Sequence, residues 1–274
     1  MQKLGSVVLH ILLIFMAILF LTPLYVLLRN ALMTDPQITS WDWSWFAIPP
    51  HWENFKDLFA DIFVPMANGF KNSTLIAIST VVLETAFACT AGYALARVPA
   101  KANGLVLGFI LSTMLVPGTA LFVPRFVLIA KMGWVNTIQG LIVPGVFNAF
   151  HTFMFRQYFL NFPRELEDAG RVDGLGYFGI FSRIALPNAW PIIIALGSLT
   201  LVNSWNSFLW PLLIGQGREW WTVQVNLSTY LTAQVVVLRL AFAGAFLGAL
   251  PMLVAFFFLQ RYIAEGITRT GIKG

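Results

Sequence analysis

The sequence predicts an all-α polytopic membrane protein with six transmembrane helices, and three observations carry that prediction. Of 274 residues, 58% are hydrophobic and 11% charged, with a mean hydropathy of +0.76, against roughly a quarter charged in soluble domains. Apolar windows near the length needed to cross the hydrocarbon core, about 20 residues, recur along the chain between stretches of charge, Pro and Gly. Basic residues gather on one side of the topology that those windows define.

The windows fall at residues 7–28, 73–96, 104–122, 138–159, 189–214 and 238–262. The first outruns the apolar core of a secretory signal and is followed by no small-residue cleavage site, so it is an anchor. With the N-terminus in the cytoplasm, Lys3, Arg97, Lys101, Arg156, Arg164, Arg171, Arg183, Arg261, Arg269 and Lys273 lie inside. The outer loop 31–72 holds only Lys56 and Lys71 against Asp35, Asp42, Glu53, Asp57 and Asp61. That asymmetry obeys the positive-inside rule, and six spans return the C-terminus to the cytoplasm.

The formal charge of +5 does not point to nucleic acid, because the basic residues are scattered among apolar spans and form no aromatic-interleaved patch. The single cysteine, Cys89, lies in the second span and supports neither an internal disulfide nor a cysteine-rich metal site. No inverted repeat of the kind found in secondary transporters is visible. A single membrane domain over 1–274 is the simplest organisation.

Loop 31–72 contains Trp41, Trp43, Trp45 and Trp52 with Pro36, Pro49 and Pro50, too polar and broken to cross a bilayer. Its tryptophans suit an interfacial aromatic belt or docking of a ligand or partner, and either role keeps them outside. A second outer loop, 215–237, carries Arg218, Glu219, Trp220 and Trp221 and ends in Val235, Val236 and Val237.

The one substantial cytoplasmic segment is 163–187, within a connector spanning 161–188. Pro163 is tolerated in a first helical turn, and Glu165, Glu167 and Asp168 follow where acids complement the positive helix end. Gly174 stops that helix. A second helix over 177–185 places Phe178, Phe181 and Ile184 at i, i+3 and i+6, beside Tyr177 and Ile180, ahead of Leu186 and Pro187. This leaves an apolar stripe outside the bilayer. Such a stripe lies on the membrane surface or under its own bundle, or it seats in another protein's groove, where apolar anchors supply affinity.

The segment resembles the Glu-Ala-Ala loop of the membrane permeases of binding-protein-dependent ABC importers, in particular the carbohydrate-uptake branch with the maltose and glycerol-phosphate type permeases. That signature continues with Asp-Gly and Ile-x-Leu-Pro, and the chain matches at Ala169, Asp173, Gly174, Ile184, Leu186 and Pro187. It departs at Asp168, in place of the Glu, and at Gly170, in place of the second Ala, which costs a helix about 1 kcal/mol relative to Ala. The similarity extends to Asn72 and Ser73, to 91–97, to Pro117, Gly118, Pro124, Gly133, Asn136 and Thr137, and to 266–274.

The resemblance implies a type I ABC importer permease fold with cytoplasmic coupling helices in a bacterial plasma membrane. It also implies a second permease subunit, a cytoplasmic ATPase dimer carrying ATP and Mg, and an external solute-binding protein. The coupling contacts so implied are Glu165, Asp168, Ala169, Asp173, Gly174, Phe178, Ile184, Leu186 and Pro187. The residues themselves agree in one respect: the chain has no Gly-x-x-x-x-Gly-Lys-Ser/Thr phosphate loop. Nor do His10, His51 and His151 form a metal or catalytic pattern, so catalysis, a cofactor and a metal are not expected in this chain.

Within the fifth window, Asn203, Trp205 and Asn206 stand with Ser204, Ser207 and Trp210. They suit hydrogen bonding between helices or contact with sugar hydroxyls along a solute pathway. Glu84 sits near the centre of the second window, where a carboxylate is expensive and a functional role is the first hypothesis. It is either protonated, paired with a basic group or facing a wet cavity. A secondary transporter or channel using Glu84 is the alternative to the importer, and a membrane-embedded enzyme is a third reading.

Overall fold

The structure is a computed structural model that describes residues 2–232 and 236–271, with side chains described over 6–232 and 236–260. Val235, the last three residues of the 266–274 stretch, and the side chains of Lys3, Arg261, Arg269 and Lys273 therefore lie outside the described residues.

In chain order the helices are α1 (Gln2–Ala31), α2 (Asp35–Thr39), α3 (Glu53–Ala60), α4 (Met66–Arg97), α5 (Asn103–Thr113), α6 (Phe122–Lys131), α7 (Ile138–Ile142) and α8 (Ala149–Leu160). They continue as α9 (Arg164–Val172), α10 (Tyr177–Ile180), α11 (Leu186–Asn188), α12 (Trp190–Trp205), α13 (Leu209–Ile214), α14 (Val223–Thr232) and α15 (Leu238–Gly271). Among the described residues there is no strand.

Among the described residues three unbroken helices are long and apolar enough to cross a membrane: Ser6–Ala31, Met66–Arg97 and Leu238–Gln260. Two bent pairs, Ile138–Gly145 with Ala149–Leu160 and Tyr177–Asn188 with Trp190–Trp205, raise the count to five if each is one span. Six transmembrane helices are expected from hydropathy, and among the described residues up to five of those spans are matched by length and composition. The 104–122 window yields the eleven-residue α5, which at about 1.5 Å per residue covers only about half of a ~30 Å core. Ser112 and Thr113 bond back to the carbonyls of Phe109 and Ile110 at 2.7 Å, and Pro117 and Gly118 then deny the chain a continuous ladder. The 138–159 window bends by 48° at the break between Gly145 and Ala149, where Asn148 caps α8 by accepting from the His151 N–H at 3.1 Å.

The chain divides into two compact units. The first comprises Met1–Phe70 and Trp221–Leu253. Here the 31–72 loop folds around Arg239, whose Nη1 donates to Asp57 Oδ2 at 2.8 Å and to Asn54 Oδ1 at 3.0 Å. Asn54, fully buried, donates in turn to the carbonyls of Ala31 and Met33. The Tyr230 hydroxyl donates to Asp61 Oδ2 at 3.1 Å, and burial first, the Asp61 carboxylate second, push this phenol well above the usual tyrosine range. Trp41, Trp43, Trp45 and Trp52 all stay exposed.

The second unit comprises Lys71–Trp220 and Val254–Gly274. Its core joins α4, α8, α12 and the segment after α10 through Cys89, Tyr93, Phe155, Phe159, Phe181 and Leu196. The Tyr93 ring meets Phe159 edge-on at 5.2 Å between centroids and Phe181 at 5.0 Å, the offset geometries aromatic pairs favour. α4 and α8 approach so closely at Gly92 that a Cβ there would lie 2.6 Å from Phe155 Cβ and 2.8 Å from the Arg156 backbone nitrogen. A small residue is the means by which packed membrane helices come this near.

Gly92→Ala is expected to lower stability by on the order of 1–3 kcal/mol, measured as thermal unfolding in detergent. Gly104→Ala, at a helical position with open space around it, should match the wild type or exceed it. Alkaline titration tests Tyr230. Its raised pKa means that the stabilisation is fully present below the ordinary value of about 10 and is lost as pH rises beyond it, so Tyr230→Phe should unfold with a flatter pH dependence above pH ~10.

Candidate functional site: the connector and an intramembrane cavity

α9 forms where the first-turn acids predict it, with Pro163 as the residue preceding the helix and Glu165 and Glu167 in the first turn. It ends in a Schellman arrangement: the Gly174 N–H bonds the Arg171 carbonyl and the Leu175 N–H bonds that of Gly170, at 3.0 and 2.9 Å. Gly174 takes φ +80° there, a conformation that costs an L side chain of order 1 kcal/mol. Gly170 has a different reason to be small. A Cβ on it would meet Ile184 Cδ1 at 2.6 Å and Ile180 Cγ1 at 3.3 Å, so the replacement of the signature's second Ala lets α9 lie down on the following turn.

The second predicted helix differs from expectation. α10 is a single turn, continued by a π-helical turn over Phe181–Ala185. That extra residue per turn splits the expected stripe. Ile180 and Phe181 enter the core and Ile184 and Leu186 pack against it, whereas Phe178 is 79% exposed and Val172 88%. Glu165, Asp168, Ala169, Asp173, Gly174 and Pro187 are also exposed, and Asp168 pairs with Arg171 at 2.7 Å on the surface.

What pins the connector is a pair that sequence reasoning passed over. Glu167, not Asp168, turns inward: its Oε1 lies 3.1 Å from Arg97 Nε at the end of α4, with side chains only 3% and 6% exposed. Arg97 Nη2 also donates to the Phe162 carbonyl at the start of the connector. At the far end the Tyr158 hydroxyl donates to the Asn188 carbonyl at 2.7 Å. Both ends of the connector are thereby tied to membrane helices. The available signal was the spacing of Glu167 three residues before Gly170, which sets both on the inner face of α9.

In the same unit a cavity of about 220 Å³ opens between α4, α6, α7, α12 and α13. Glu84, Arg125, Asn148, Asn203, Ser207 and Trp210 are among its lining residues. Glu84 Oε1 lies 2.7 Å from His151 Nδ1, both side chains 5% exposed, and Thr200 Oγ1 stands 3.5 Å from the same nitrogen. His151, too distant in sequence from the other histidines to attract notice, is the partner Glu84 required. Of the pathway candidates, Asn203 and Glu84 reach the cavity, Trp205 is buried, and Asn206 ends α12 as its C-terminal cap.

Residues 86–269 match the family described as binding-protein-dependent transport system inner membrane components. The chain belongs to this family. It is 38% identical over 205 residues to an arabinooligosaccharides transport system permease protein of Halalkalibacterium halodurans, covering 75% of this chain and 74% of that protein. It is 33% identical to a lactose transport system permease protein of Rhizobium radiobacter, over 78% of each. The fold is that of a bacterial ABC transporter involved in the import of the acidic polysaccharide alginate, a chain of which superposes with a TM-score of 0.84 at 18% identity over 95% of this chain and 97% of that one. This permease is accordingly a multi-pass inner-membrane transport component of a family that is not enzymatic.

Removing one member of a buried ion pair strands the other and costs about 3–5 kcal/mol. Glu167→Ala and Arg97→Ala should each destabilise the permease on that scale, and the double variant by clearly less than the sum, measured by denaturation in detergent as a double-mutant cycle. Asp168→Ala, which removes only an exposed pair, should change stability by less than about 1 kcal/mol.

Proposed function

We propose that this chain is one of two homologous permease subunits of an ATP-driven importer for a carbohydrate, and that the exposed Val172–Phe178 edge of its connector docks on a separate cytoplasmic ATPase. The observation that carries the reading is a large apolar surface on a segment whose two ends are tied to membrane helices. An exposed Phe held on a rigid base suits a groove in a partner. Asp168, Asp173 and Arg171 around it supply charges that set register.

The Arg97–Glu167 pair gives the docking a mechanical consequence. Displacement of the connector by closure of the ATPase is transmitted to α4 through the pair and to α8 through Tyr158. α4 carries Glu84, so the cavity wall moves with the connector. Two arrangements of such packed helices, biased by differential contacts with the ATPase, are what alternating access requires. ATP and Mg belong to the partner subunits, solute is delivered by an external binding protein, and both termini of this chain are cytoplasmic.

Sugar relatives support the substrate class: the named proteins carry arabinooligosaccharides and lactose, and Asn148, Asn203 and Ser207 offer amide and hydroxyl partners for sugar hydroxyls. Proteoliposomes holding the permease pair, the ATPase and the binding protein should take up the carbohydrate that the binding protein carries only when ATP is supplied on the ATPase side. Phe178→Ala should cut uptake about tenfold or more, the loss of ~1.4 kcal/mol or more of coupling. Uptake without ATPase subunits, driven by a pH gradient and abolished in Glu84→Gln, would instead establish a secondary transporter.

A further inference from the structure

The charges around the cavity do not cancel, and that imbalance selects a solute. Glu84 and His151 are buried together at 2.7 Å, so each already has a partner. Arg125 on α6 is charged at any ordinary pH. Among the described residues it makes no ion pair. Its guanidinium carbon instead lies 4.5 Å above the Trp210 ring, and that ring is fixed by its Nε1 donating to the Gly140 carbonyl at 3.1 Å. Stacking on a ring leaves the in-plane N–H donors of a guanidinium free to meet a planar anion. Both residues line the cavity.

We infer that the cavity takes a carbohydrate bearing an anionic group, a carboxylate or a phosphate, with Arg125 as the specificity-determining residue. This deepens the carbohydrate reading above and rests on it. The sugar hydroxyls meet Asn148, Asn203 and Ser207, while the anion meets Arg125, a wall charge without an ion-pair partner among the described residues. An arginine held in a membrane cavity is costly unless it is put to use, and a bound anion supplies the missing countercharge. Bidentate pairing of guanidinium with carboxylate or phosphate adds geometric selectivity to the charge.

Equilibrium dialysis of the assembled transporter in nanodiscs, against radiolabelled glucuronate, glucose 6-phosphate and glucose at constant ionic strength, tests this directly. At least one anion should bind fivefold or more tighter than glucose, and which one does so assigns carboxylate or phosphate. Arg125→Gln should reduce anion binding to the level of glucose, and Arg125→Lys should keep most of the preference. Equal binding of all three probes, absence of binding, or an anion preference that survives Arg125→Gln overturns the inference. The wild-type comparison decides even if Arg125→Gln does not assemble, as when a carboxylate of the second permease closes on Arg125. ATP-driven uptake of a neutral sugar without any anion preference here would sink this inference alone and leave the importer reading standing.

Discussion

An arginine and a glutamate removed from water together hold this permease in its working shape. Arg97 closes α4 and Glu167 lies on the inner face of α9, and each makes the other's burial tolerable. Without the pair, α9 would lose its tie to α4 and keep only contacts with the segment that follows it, such as Gly170 against Ile184 and Ile180 and Arg171 over the Tyr177 ring. With it, Arg97 also grips the Phe162 carbonyl, so that one side chain fixes both where the connector begins and which way its first helix faces. The exposed positions of Phe178 and Val172 follow from that orientation.

The second unit accepts further irregularity for a related reason. Bent and interrupted helices leave backbone groups without partners, and at membrane depth these are tolerated only where protein or a wet cavity can satisfy them. The breaks between α5 and α6, α7 and α8, and α12 and α13 supply both the room and the polar lining of the cavity. Within it the Glu84–His151 pair settles a carboxylate that could not stand alone, and the aromatic support under Arg125 keeps a cation in place.

Much of this was legible in the chain and some was not. Hydropathy locates the apolar segments, but it counts composition and is blind to Pro117, to the break between Gly145 and Ala149 and to the back-bonding Ser112 and Thr113, so it does not register where those helices bend or stop. Acids in the first turn and Gly174 mark both ends of α9 because capping is local chemistry. Glu167 and Asp168 are adjacent and alike, and only the side on which Arg97 arrives, 70 positions earlier in the chain, distinguishes the buried acid from the exposed one. The stripe of Phe178, Phe181 and Ile184 fails for a similar reason: helical spacing assumes α geometry, and a π turn redistributes its members between core and surface. His151 offered no pattern at all, since its significance is a contact with α4 that no spacing encodes.

The claim on which the account turns is that the connector faces the cytoplasm and is covered there by the ATPase. Labelling with a membrane-impermeant maleimide tests it most directly, using Phe178→Cys in a chain whose buried Cys89 is replaced by Ser. Intact cells should show no labelling, inside-out vesicles lacking the ATPase should label fully, and reassembly with the ATPase should protect the site. Labelling of intact cells, or equal labelling of inside-out vesicles with and without the ATPase, would contradict the account.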